Sequence, residues 1–154
     1  MHPNSRLRVA FFILPLAAVV HVIEEWLGGF VAQMSRLVPG VTLTHFWVIN
    51  AVFIAFCGAA SITCRSHPVL ALSAMALIGV NAFIHLAGAL LLQGYSPGLL
   101  SAWLLYVPLA SWTFRTALAE GQVSRAQALH AAGLGVAFMT VPLLFQGLRL
   151  LLQG

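Results

Sequence analysis

Long apolar runs, each close to the length needed to cross a lipid bilayer, are the feature that most constrains this chain. A helix needs about 20 predominantly apolar residues to span the hydrocarbon core. Only 6% of the 154 residues are charged and 61% are hydrophobic, whereas a soluble domain carries about 25% charged residues. The sequence therefore predicts an all-α, polytopic transmembrane helical bundle of about five spans, in a single domain over residues 1–154. The predicted helices lie at about residues 9–27, 46–64, 69–92, 99–114 and 129–152.

A count of four spans stays open. The fourth run is short and carries Pro108, and the fifth run is rich in glycine and carries Pro142. Pro and Gly are tolerated in membrane helices because neighbouring groups satisfy the freed backbone. Neither residue therefore decides between four spans and five.

The arginines set the predicted orientation, since the chain contains no lysine. Cytoplasmic loops carry an excess of positive charge. With the N-terminus inside, only Arg36 and Arg149 lie outside, while five arginines are cytoplasmic: Arg6, Arg8, Arg65, Arg115 and Arg125. We therefore expect a multi-pass protein with a cytoplasmic N-terminus. The composition, which is rich in Ala and Leu and has arginine without lysine, suggests a bacterial inner membrane. No basic run resembles a nucleic-acid surface, so the lipid bilayer is the expected partner.

Three ionisable side chains, His21, Glu24 and Glu25, interrupt the first apolar run, in a chain that has only three acidic residues. A charge at the centre of a membrane helix costs about 2.5–3.5 kcal/mol, so such groups usually pair, bind metal, carry protons or contact substrate. His21 is three residues from Glu24 and four from Glu25, so each carboxylate can share a face with the imidazole. The two carboxylates are about 100° apart. One can therefore face a ligand while the other braces a neighbouring helix.

Further polar residues reach the same predicted depth near the outer face. Asn81 and His85 are one helical turn apart in the third run, and Tyr95 follows in a short loop. His45 and Asn50 begin the second run, and their roles stay open. The candidate catalytic residues are Glu24, Glu25, His21, His85, Asn81 and Tyr95, and the candidate metal ligands are His21, Glu24, Glu25 and His85.

These residues fall in three motifs that resemble those of a known family. HVIEE at 21–25, NAFIH at 81–85 and YSPG at 95–98 reproduce, in order, the H-x-x-E-E, N-x-x-x-H and Y-x-P-G motifs of the HXXEE family. The likeness runs from about His21 to the fourth predicted helix. It implies a small integral membrane protein of unassigned activity, in a family whose polar motifs suggest enzymes. The resemblance supplies site positions but no reaction.

Three functions are compatible with this pattern. The first is a membrane enzyme whose His and Glu side chains hold a divalent transition metal or zinc, acting on a lipid-like or isoprenoid-like apolar substrate by hydrolysis, isomerisation or oxidation. The second is a metal-free isomerase or cyclase in which a protonated Glu is the general acid. The third is a proton- or ion-coupled transporter, which the clustering of polar residues at one side disfavours.

The cysteines, the cofactor motifs and the glycines of the last predicted helix give three further expectations. Cys57 and Cys64 lie seven residues apart in an apolar helix, and we interpret them as packing residues. No motif predicts an organic cofactor. Gly133 and Gly135 could pack against another protomer, so a homo-oligomer stays open.

Overall fold

Helices form the regular structure of the chain. The computed structural model describes residues 5–153, apart from the side chains of Ser5, Leu37, Leu143 and residues 145–153. A π-helical turn, Ala102–Tyr106, directly joins the helices Leu99–Ser101 and Val107–Ala119. The prediction of an all-α protein is confirmed. The helices are α1 (Ser5–Leu27), α2 (Phe30–Leu37), α3 (Leu43–Thr63), α4 (Pro68–Leu91), α5 (Leu99–Ser101), α6 (Val107–Ala119) and α7 (Arg125–Gln153).

Three helices in the described range are long and apolar enough to cross a membrane, namely Arg6–Leu27, Leu43–Thr63 and Pro68–Leu91. They coincide within a few residues with the first three predicted runs. The fourth and fifth runs are also helical, in the continuous stretch 99–119 and in α7. The apolar helices suggest a membrane protein, and the count of about five spans stays a prediction.

Helix α4 lies at the centre of the bundle. Its eight residues 71–78 are all buried, as expected for a helix that is apolar all round. It packs against α7, α3, α6 and the π-turn, and α1 packs against α3. This arrangement brings the middle and the end of α4 close to the elements that carry the polar motifs.

Alanine makes up a large part of the buried core, and many large apolar side chains face outward. Phe12 is 58% exposed, Leu16 67% and Leu91 83%. Water would disfavour such a surface, whereas lipid tails solvate it, and small residues inside let helices approach closely. The outer surface therefore matches a bilayer environment. Small buried residues in α1 and α4 include Ala10, Ala17, Ala18, Ala71, Ser73, Ala74 and Ala82.

Gly135 of α7 packs tightly against α4. A Cβ atom built on Gly135 would lie 2.4 Å from Ala76 Cβ and 2.7 Å from Leu77 N. Gly135 therefore packs within the chain rather than against another protomer. A Cβ atom on Gly133, half a turn away, meets nothing within 4 Å.

The sequence predicts no helix between the first two predicted spans, in the segment that follows Gly28 and Gly29. The segment forms a short amphipathic helix instead. Phe30 and Met34 lie one turn apart and are partly buried, while Arg36 is exposed. Eight residues are too few for a helix to be stable on its own. We therefore attribute the stability of α2 to the packing of its apolar face on the end of the bundle.

The crowding at Gly135 generates a first prediction. Gly135→Ala should destabilise the protein by roughly 1–3 kcal/mol, because backbone atoms of α4 must move to admit the methyl group. Gly133→Ala is the matched control, and it should leave the stability of the protein unchanged or raise it slightly. The measurement is the apparent Tm of the two purified variants in the same detergent. Equal Tm values would contradict the α4–α7 contact described above.

Candidate metal centre

Three buried side chains from two helices converge near one end of the bundle. His21 and Glu25 are one turn apart on α1, and His85 lies on α4. Glu25 Oε1 is 3.6 Å from His21 Nε2 and 3.3 Å from His85 Nε2. One donor atom from each residue lies within 4.8 Å of the other two. The exposed fractions are 2% for His21 and 4% for both Glu25 and His85, so the cluster is closed to bulk solvent. We call His21, Glu25 and His85 the trio.

Each imidazole of the trio is held by a serine through its other nitrogen. His21 Nδ1 lies 2.9 Å from Ser101 Oγ, and His85 Nδ1 lies 3.2 Å from Ser96 Oγ. The Ser101 hydroxyl donates to the Gly98 carbonyl at 3.3 Å, so it is free to accept from an Nδ1–H of His21. That tautomer leaves the lone pair on His21 Nε2, for which no hydrogen-bond partner is found within the described part of the chain. Metal-binding histidines are usually oriented in this way.

The loop of the third motif, residues 95–98, covers the trio with backbone. Gly98 has a φ of +97°, a conformation that glycine adopts without strain. A Cβ atom built there would lie 2.7 Å from His85 Cε1 and 2.8 Å from His21 Cε1. Pro97 packs in turn against Gly28, whose Cβ position would be 2.8 Å from Pro97 Cβ. The P-G pair therefore seats the loop on both helices of the site.

Glu24 faces the same loop but is directed away from the trio. Its Oε1 accepts from the backbone N–H of Leu100 at 3.0 Å, and its Oε2 accepts from that of Ser101 at 2.7 Å. The Tyr95 hydroxyl also donates to Glu24 Oε1. Partial burial and the neighbouring Glu24 raise the pKa of Tyr95 to about 12, so the phenol keeps the proton that it donates. Glu24 and Tyr95 thus fasten the loop, and the structure does not group Glu24 with the three candidate ligands.

The remaining polar candidates lie outside the trio. Asn81 is one turn before His85, and its Oδ1 is buried without a partner among the described residues. His45 belongs to a capping box with Thr42 at the start of α3. The amide of Asn50 donates to the Phe46 carbonyl one turn earlier, at 3.1 Å. His45 and Asn50 therefore have local roles at the start of α3.

Several residues of the site were not identified from the sequence. Ser96 and Ser101 orient the histidines, and serines carry no distinctive spacing signal. Phe30 of α2 lies over the site, with its ring centroid 6.0 Å from that of His85. The Tyr106 ring packs against His21 with centroids 4.6 Å apart. Only the apolar spacing of Phe30 and Met34 could have indicated a covering helix.

The two thiols do not contribute to the site. Cys57 and Cys64 are both free and buried, and both belong to the apolar core. This agrees with their interpretation as packing residues.

The Gly98 contacts generate a second prediction. Gly98→Ala should displace the loop and misalign both imidazoles, because the methyl group would overlap their Cε1 atoms. Gly29→Ala is the matched control, since Gly29 also has positive φ (+79°) but nothing within 4 Å of its Cβ position. It should lose only the roughly 1–2 kcal/mol of left-handed strain. Apparent Tm values in detergent measure both effects, and equal losses would contradict the seating of Gly98 on the trio.

The chain is similar in sequence to a known protein family. A family described as a protein of unknown function with HXXEE motif matches residues 12–113. No curated protein and no solved structure matches the chain. The matched range contains all three motifs, most of α1, the whole of α4 and the loop that covers the trio. Because the match spans well over half of the chain, this protein belongs to the HXXEE family.

Proposed function

We propose that the protein is a metal-dependent membrane enzyme in which His21, Glu25 and His85 bind a divalent transition metal or zinc. The observation that carries the proposal is the convergence of three buried donor atoms within 4.8 Å of one another. An unpaired carboxylate in such surroundings is strongly disfavoured. A cation would compensate its charge and give His21 Nε2 the partner that it lacks.

The donor set favours a catalytic role over a structural one. Structural zinc sites are usually closed by four protein ligands, whereas catalytic sites keep a position for water or substrate. Two imidazoles and one carboxylate occur in catalytic zinc sites and in non-haem iron(II) sites. The trio provides this set and leaves coordination positions for a ligand.

The protein's own residues have three tasks in this proposal. The serines at Nδ1 hold each imidazole in the ligating tautomer. Glu25 supplies the compensating negative charge, and the loop at residues 95–98 excludes bulk water. A metal held there would supply Lewis acidity or an activated water.

An apolar, lipid-like or isoprenoid-like substrate suits the location. The helices around the site present large apolar side chains outward, among them Ile23 and Leu27. Trp26 and Trp47, both exposed, lie with ring centroids 5.8 Å apart beside the same end of α1. Trp is enriched at membrane interfaces. A substrate dissolved in the bilayer could therefore reach this end of the bundle without crossing water.

The proposed setting follows the arginine distribution. Five spans with a cytoplasmic N-terminus bring the trio toward the outer face of a bacterial inner membrane. Arg36 at the end of α2 is exposed on the trio side of the bundle. The helices Arg6–Leu27 and Pro68–Leu91, which carry the trio, are both long and apolar enough to cross a membrane, and this supports the proposed spans.

A metal-free acid–base enzyme is the second candidate. One oxygen, Glu25 Oε1, lies close to the Nε2 atoms of both histidines. A proton shared in this His–Glu–His arrangement could serve an isomerisation or cyclisation. The metal-binding experiment below separates the two candidates.

The third prediction concerns two adjacent carboxylates. Glu25→Gln should weaken zinc binding by more than about 100-fold, because it removes the one anionic ligand of the trio. Glu24→Gln, the matched control, should still bind close to one equivalent, since Glu24 faces the loop. The measurement is elemental mass spectrometry of detergent-purified protein after incubation with zinc and removal of the excess, repeated with iron and manganese.

Two results would contradict the proposal. Equal metal content in Glu25→Gln and the wild type would place the metal elsewhere. A wild type that binds none of the three metals would favour the metal-free enzyme.

A further inference from the structure

Tyr106 is a buried polar residue that has no role in metal binding by the trio. Its side chain is fully buried, and its hydroxyl has no hydrogen-bond partner within the described residues. Leaving a buried hydroxyl unpaired costs roughly 1–3 kcal/mol. Such a group in a native protein calls for a partner that binds there.

Aromatic packing fixes the Tyr106 ring beside the trio. On one side it contacts His21, with ring centroids 4.6 Å apart and an interplanar angle of 39°. The ring of Phe53, on α3, also packs against Tyr106, with ring centroids 6.5 Å apart. The ring is thus held between α1 and α3, immediately next to a candidate metal ligand.

The π-turn explains why Tyr106 faces His21 at all. Ser101, which bonds His21 Nδ1, is five residues earlier. In an α-helix five residues rotate a side chain about 140° beyond a full turn, so Ser101 and Tyr106 would face different directions. In the π-turn the Val107 N–H bonds the Ala102 carbonyl, an i→i+5 pattern. Five residues then complete about one turn, and both side chains meet the same imidazole. Such π-turns occur frequently at functional sites.

We infer that Tyr106 is a further ligand-binding residue of this site, whose hydroxyl donates a hydrogen bond to a polar atom of the molecule bound at the trio. The substrate class is accordingly an apolar molecule with one oxygen-bearing end, such as an alcohol, ester, epoxide or carbonyl compound. The oxygen lies between the trio and Tyr106, and the apolar part extends toward the bilayer. This inference rests on the proposed metal site.

The fourth prediction tests Tyr106 with azide, a small anion that binds open metal positions. The wild type and Tyr106→Phe are loaded with Co²⁺, and azide is titrated while the visible d–d spectrum is recorded. Both proteins should bind Co²⁺ equally, and Tyr106→Phe should bind azide at least about tenfold more weakly, because one donor to a charged ligand is lost. Thr113→Val is the matched control. It removes a buried hydroxyl on α6 that already donates to the Leu109 carbonyl at 2.7 Å, and its azide affinity should equal that of the wild type.

A second measurement applies if Tyr106→Phe does not fold. The chain has only two tyrosines, so 3-fluorotyrosine labelling gives two ¹⁹F resonances. The two resonances are assigned with the Tyr95→Phe variant, which retains only the Tyr106 signal. Azide added to the labelled, zinc-loaded wild type should shift the Tyr106 resonance and leave that of Tyr95 in place.

The outcomes separate this inference from the proposed function. Normal Co²⁺ binding with unchanged azide affinity in Tyr106→Phe, or no shift of the Tyr106 resonance, would overturn the role of Tyr106 alone. Failure of the wild type to bind Co²⁺ or zinc would overturn the metal site, and the role of Tyr106 with it.

Discussion

The carboxylate of Glu25, buried between two imidazoles, imposes the constraint on which the rest of the site depends. A carboxylate removed from water needs charge or hydrogen-bonding partners, and without them it is strongly destabilising. Its polar neighbours are the Nε2 atoms of His21 on the same helix, at 3.6 Å, and of His85 on α4, at 3.3 Å. The two helices must therefore meet at one register. The small side chains of the core allow the close packing that this requires.

The loop at residues 95–98 and the short helix α5 complete the site that the two helices begin. Ser96 and Ser101 orient the imidazoles, and Gly98 brings backbone into contact with both rings. Glu24 holds this segment by accepting the backbone N–H groups of Leu100 and Ser101 in α5. The paired carboxylates of the motif thus serve different purposes, one inside the cluster and one fastening its cover.

Much of the fold could be predicted because the membrane restricts the alternatives. A long apolar run must satisfy its backbone internally, so it forms a helix. The predicted runs at 46–64 and 69–92 differ from α3 and α4 by at most three residues at either end. Two other features could not be predicted from the apolar runs. Helix α2 is short and depends on packing, and the π-turn differs from an α-helix by a single hydrogen-bond register.

The sequence by itself determined the long apolar helices, their apolar surfaces and the pairing of His21 with one carboxylate of its own helix. These follow from hydropathy and from spacing along one helix. Only the tertiary structure decided which carboxylate that is. Glu24 and Glu25 are three and four residues from His21, and both spacings allow contact. The choice depends on where His85 and the loop lie around α1, and contacts between distant segments leave no periodic signal in the sequence.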